Sequence, residues 1–137
     1  GELDFLMIDM PPGTSDVAIT VMQSFPLSGF IFVTTPQDLV SAVVARSMQM
    51  AERMKVPVLG LVENMSYFLC PHCGQKTSFF GSDESEKLAR QFSAELLVQI
   101  PTALEFGRMP SQGLDTSSPL VAEILDKLGR KITGKLS

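Results

Sequence analysis

Four short apolar runs constrain this chain more than any other feature: Leu3 to Ile8, Gly29 to Thr35, Pro57 to Glu63 and Leu96 to Ile100. None alternates apolar with polar residues, as a half-exposed strand would. Strands buried on both faces read this way, and they belong to parallel sheets covered by helices. Helix signals fall between the runs. Thr14-Ser15-Asp16 supplies an N-cap for a helix through about Phe25, and Asp38 caps a second to about Lys55. On that second helix Val40, Val43, Val44, Met48 and Ala51 share one face at three- and four-residue spacing. A third helix is expected from Glu84 to Ala94, opened by Ser82 or Asp83, and a last one from about Leu120 to Lys131, with a tail that frays. The expected fold is α/β, one domain over residues 1–137 with a parallel sheet and helices on both faces. Because the chain opens directly into a core strand, it is expected to be part of a larger domain.

Charge narrows the partners. Lys and Arg number 11 against 15 Asp and Glu, a net charge of −4. With no basic stripe, nucleic acid and anionic membranes are not expected partners. Every apolar run is interrupted well before membrane-spanning length. The N-terminus lacks the basic flank of a secretory signal, so the expected address is cytoplasmic.

Asp9 ends the first apolar run, and Pro11-Pro12-Gly13 turns the chain immediately after it. A carboxylate delivered at a strand tip can hold a metal-bound water. A glycine-bearing turn lets backbone N–H groups approach a phosphate. A strand-ending Asp before an ordinary Pro-Gly turn has the same pattern. Cys70-Pro71-His72-Cys73-Gly74 puts two thiols on one tight turn. Thiolates are soft ligands, and four sulfurs suit Zn²⁺ or an iron–sulfur cluster. One chain supplies two, so a second copy across a two-fold axis would complete the set as a metal-bridged homodimer. His72 would project away from a metal held by both sulfurs. A c-type haem site would need His where Gly74 stands, and a thioredoxin-type site would need a helix N-terminus. A structural-zinc half-site stays open.

Longer strings go further. Phe5-Leu6-Met7-Ile8-Asp9-Met10-Pro11-Pro12-Gly13-Thr14 resembles the switch II segment of the Mrp family, in the MinD/ParA-like branch of P-loop ATPases. Val33-Thr34-Thr35-Pro36-Gln37-Asp38 follows in order, as do Pro57 to Ser66 and the cysteine segment from Asn64 to Gly74. The resemblance implies an iron–sulfur cluster carrier in which a 4Fe–4S cluster bridges two subunits through Cys70 and Cys73 of each. Apo iron–sulfur proteins would be the recipients. It places Asp9 near Mg²⁺, Gly13 against the terminal phosphate of ATP and Asn64 on the adenine. Asn64 can equally bond its own backbone. The cysteine loop would span residues 64–81, with Tyr67, Phe68, Phe79 and Phe80 limiting solvent access or simply packing.

No G-x-x-x-x-G-K-[ST] occurs in the sequence. The fold is therefore expected to be a partial P-loop NTPase without its phosphate-gripping unit, and the chain alone is expected not to hydrolyse ATP. Two other functions fit less well: a zinc-bridged dimeric binding module, and a fragment of a MinD/ParA-like positioning ATPase. Met48, Met50 and Met54 offer either a soft partner surface or core packing. Glu105, Arg108 and Asp115 match the family too loosely to carry roles.

Overall fold

A computed structural model of the chain describes residues 2–11, 15–78, 83–103 and 115–136. Helix α1 (Asp16–Ser24) starts at Ser15, whose hydroxyl accepts the Ala18 N–H. It leads into strand β1 (Phe30–Thr34), helix α2 (Asp38–Arg53) and strand β2 (Val58–Glu63). Two two-residue strands, β3 (Phe68–Leu69) and β4 (Lys76–Thr77), form a small antiparallel hairpin. Helix α3 (Glu84–Gln91), strand β5 (Leu96–Gln99) and helix α4 (Pro119–Leu136) follow.

The three long strands make one parallel sheet in the order β1-β2-β5, with β2 central. Helices cover both faces. On one, Val44 and Met48 of α2 and Leu88 and Ala89 of α3 enclose Leu61. On the other, Ile124 of α4 packs with Val62, Leu97 and Val98. Adjacent residues of β2 thus serve opposite cores, which is why its sequence shows no polar alternation. Gly60 permits the close approach of β5: a Cβ there would lie 2.6 Å from the Glu95 carbonyl oxygen.

The expected strand at Leu3 to Ile8 does not form. Residues 3–8 are irregular, and Phe5, Leu6 and Met7 are 55%, 72% and 81% exposed. A strand needs a neighbour for its N–H and C=O groups. Among the described residues nothing pairs with this segment, and β1 pairs only with β2.

Two smaller corrections, at Val43 and at the C-terminal tail, share a cause in packing. Val43, expected on the buried face of α2, is 43% exposed, and Ser41 is buried in its place. Of the three methionines on and beside that helix, Met48 is fully buried, while Met50 and Met54 are half-buried. The C-terminal residues expected to fray continue α4 to Leu136. Ile132 packs onto the second core, and Lys131 and Lys135 both reach Glu95, at 2.6 and 3.0 Å. No helix among the described residues is long and apolar enough to cross a membrane.

Candidate functional site

Ligands of parallel α/β sheets bind beyond the carboxyl ends of the strands, and β2 delivers its chain there. Glu63 ends the strand, and the Asn64 N–H donates to the Thr34 carbonyl at 2.8 Å. Met65 then turns the chain with a φ of 55°, in the left-handed region that a side chain disfavours. The Asn64 amide oxygen accepts the Met65 N–H at 2.9 Å. This is the local backbone bond that the sequence left open as the alternative to a ligand contact for this side chain.

Past the turn, the chain is laced to the segment that follows β5. Ser66 N–H donates to the Ile100 carbonyl, Thr102 N–H to the Tyr67 carbonyl, and Phe68 forms a parallel bridge with Thr102. From this stem the β3–β4 hairpin carries the cysteines at its tip. Cys70 N–H donates to the Gln75 carbonyl at 3.0 Å, and Gly74 N–H to the Cys70 carbonyl at 2.8 Å. Gly74 takes a φ of 70°, which glycine adopts without strain. Cys70 is half-buried and Cys73 exposed, and both are free thiols.

The hairpin also prepares the sulfur electrostatically. The backbone N–H of His72, then that of Cys73, and then the Cys73 thiol hydrogen-bond to the Cys70 sulfur and hold its pKa below the usual thiol value. Lys76 adds a positive charge beside the tip, its ammonium 4.6 Å from the centre of the Tyr67 ring. His72 is exposed. Among the described residues no group of three or more His, Cys, Asp or Glu side chains could hold a metal ion. Two sulfurs on one turn suit a soft cation or a cluster edge, and they leave its remaining valences for ligands from elsewhere.

The other expected site residues are less gathered. Asp9 is exposed on the irregular N-terminal arm instead of standing at a strand tip. Gly13 lies outside the described residues, as do Phe79, Phe80, Glu105 and Arg108. Asp115 is exposed and accepts hydrogen bonds from the N–H and hydroxyl of Ser117, which lower its pKa.

One cluster escaped the sequence reading. Glu63 is 2% exposed, and its carboxylate accepts hydrogen bonds from Ser66 Oγ at 2.5 Å and Gln99 Nε2 at 2.7 Å. The signal for it was a charged residue closing an otherwise apolar run. An acid at a strand end is common enough that only tertiary contact separates a buried one from a solvated one.

The family description "ParA: NUBPL iron-transfer P-loop NTPase" matches residues 1–136. The chain is 41% identical over 116 residues to an iron–sulfur cluster carrier protein of Pseudomonas fragi, covering 85% of this chain and 40% of that one. It is 43% identical over 113 residues to the mouse iron–sulfur cluster transfer protein NUBPL, covering 82% of this chain and 35% of that one. Its structure resembles a nucleotide-binding protein from Archaeoglobus fulgidus, solved in complex with ADP, with cobalt found in it. That likeness has a TM-score of 0.65 at 39% identity, over 99% of this chain and 47% of the other. The chain therefore spans less than half the length of these relatives.

Proposed function

We propose a function from one premise: this chain belongs to the ParA/NUBPL family of iron-transfer P-loop NTPases. It acts as the cluster-holding part of an iron–sulfur carrier. Cys70 and Cys73 take one edge of a 4Fe–4S cargo, the same pair from a second copy takes the other, and apo iron–sulfur proteins receive it. The observation that carries this reading is the hairpin tip. It holds two free thiols on one turn, and no group of three or more His, Cys, Asp or Glu stands there among the described residues.

The physical logic favours a labile site. A thiolate pair on an exposed two-strand hairpin binds a soft cargo without enclosing it, so a recipient's thiols can approach the same metal edge. The reducing cytoplasm, the compartment proposed here, keeps such a pair from closing into a disulfide. Nucleotide handling belongs to the whole protein. Asp9 would hold a water of Mg²⁺, Gly13 would donate its N–H to the terminal phosphate of ATP, and Asn64 would read the adenine once its amide leaves Met65. Without a phosphate-gripping loop and its lysine, this chain alone is not expected to turn ATP over.

The test is anaerobic reconstitution with iron and sulfide of the wild-type chain and of Cys70→Ser. Iron and sulfide shared between two chains, with a broad visible band that the substitution abolishes, support the carrier reading. Stoichiometric zinc with no retained iron would sink it and leave the zinc-bridged module as the account of Cys70 and Cys73.

A further inference from the structure

Glu63 is a buried acid that nothing in the proposed chemistry uses. It sits at the carboxyl tip of the central strand, and the structure holds it in a built environment. One carboxylate oxygen, Oε2, accepts from two partners on different segments. Ser66 lies on the chain leaving β2 for the cysteines, and Gln99 ends β5. The backbone repeats the same link, because the Ile100 N–H donates to the Glu63 carbonyl and the Ser66 N–H to the Ile100 carbonyl. No ion pair to Glu63 occurs among the described residues, so its link to the loop is made by hydrogen bonds alone.

We propose that Glu63 is a positioning residue: it sets the direction in which the cysteine hairpin leaves the sheet, so that two hairpins can meet on one cluster. This rests on the carrier reading above. The tip organises itself, since its turn is closed by bonds between Cys70, Gly74 and Gln75. What the tip cannot set is its own orientation. The connection to the sheet passes through Met65, exposed and in a disfavoured conformation, and such a joint needs an outside constraint to stay in one state. Backbone bonds at Ser66 and Tyr67 supply part of it, and Glu63 adds to it from within the core by tying the Ser66 and Gln99 side chains together. A mononuclear metal on one thiol pair is indifferent to hairpin direction, whereas a cargo shared by two chains requires both pairs to face each other.

The experiment uses the full chain as wild type, E63L, E63Q and S66A. Each is reconstituted anaerobically with iron and sulfide and weighed by native mass spectrometry. Cluster loss to a chelator is then timed, and thiol alkylation is timed on the apo forms. In parallel, spin labels on Cys73 and on a cysteine introduced by Gln49→Cys, in a Cys70→Ser background, report the spread of distances between hairpin and α2. E63L is expected to shed the shared cluster about tenfold faster and to broaden the distance distribution, because two buried donors lose their acceptor. Alkylation should stay within about twofold of wild type, since the turn that tunes Cys70 is local. E63Q keeps an oxygen for Ser66 and Gln99 and should recover to within about threefold, while S66A should fall between.

An E63L chain with wild-type cluster lifetime and an unbroadened distribution would overturn the proposal. So would a loss of thermal stability together with equally altered alkylation, which would mark Glu63 as a general structural residue. If wild type itself holds no cluster, the carrier reading falls, and the label distances still decide whether Glu63 orients the hairpin.

Discussion

Leu3 to Ile8 and Phe30–Thr34 are almost equally apolar, yet only the second is a strand. β1 lies against β2 along its length and under α2. The first segment has no hydrogen-bonding neighbour among the described residues and leaves Leu6 and Met7 largely in water. Apolar composition sets a strand's capacity to be buried. Pairing decides whether it becomes one, because each unpaired backbone group taken from water costs free energy comparable to a lost hydrogen bond.

The sharpest way to break this comparison is to truncate one residue in each region. Leu61→Ala, at a site with no exposure and contacts from two helices, should lower unfolding stability by about 2–5 kcal/mol in urea titration. Leu6→Ala should change it by less than about 0.5 kcal/mol. A similar cost at both positions would mean that the arm packs in solution. Gly60→Ala attacks the pairing itself, since its Cβ would collide with the Glu95 carbonyl and the Leu97 side chain. It should cost about 1–3 kcal/mol, with hydrogen exchange accelerating across β2 and β5.

A smaller effect sits at the other end of the chain, where charge holds a helix that the sequence reading expected to fray. Lys131 and then Lys135 lower the Glu95 pKa. A depressed carboxyl stabilises the fold above its unfolded-state pKa, and that contribution is lost as pH falls through the folded value. Because Glu95 and both lysines are partly exposed, Glu95→Gln should cost no more than about 0.5 kcal/mol at neutral pH. The difference should vanish in acid titration. The last prediction concerns chemistry without stability. With its pKa lowered by the His72 and Cys73 N–H groups, Cys70 should alkylate at a lower pH than a free thiol, as followed by mass spectrometry across a pH series. A Cys70 profile matching an unstructured peptide would show that the hairpin does not form in solution.

Much of the molecule was legible in the residues. β1, β2, β5 and the four described helices lie within a few positions of where apolar runs and breakers put them, although Gln37 and not Asp38 is the N-cap of α2. Ser15 caps α1 as its hydroxyl allows, and Pro57 and Pro101 bracket β2 and β5 as their missing N–H groups require. The Cys-Pro-His-Cys-Gly string announced a thiol pair on a turn because those residue types favour a tight bend with a left-handed glycine. Val43 was misplaced because three- and four-residue spacing fits a stripe wider than the face that α2 buries. Glu63 was missed because its partners, Ser66 and Gln99, lie on separate segments that only the sheet brings together.

The sequence by itself determined the parallel α/β class, the number of chemical groups at the hairpin tip and their spacing. These follow from local conformational preference and from side-chain chemistry, which travel with the residues. The tertiary structure decided which apolar runs became strands, which acid was buried, and how the thiols are anchored to the sheet. Those outcomes depend on whether a second segment arrives to satisfy a backbone edge or a buried oxygen, and no single stretch of sequence carries its own partner.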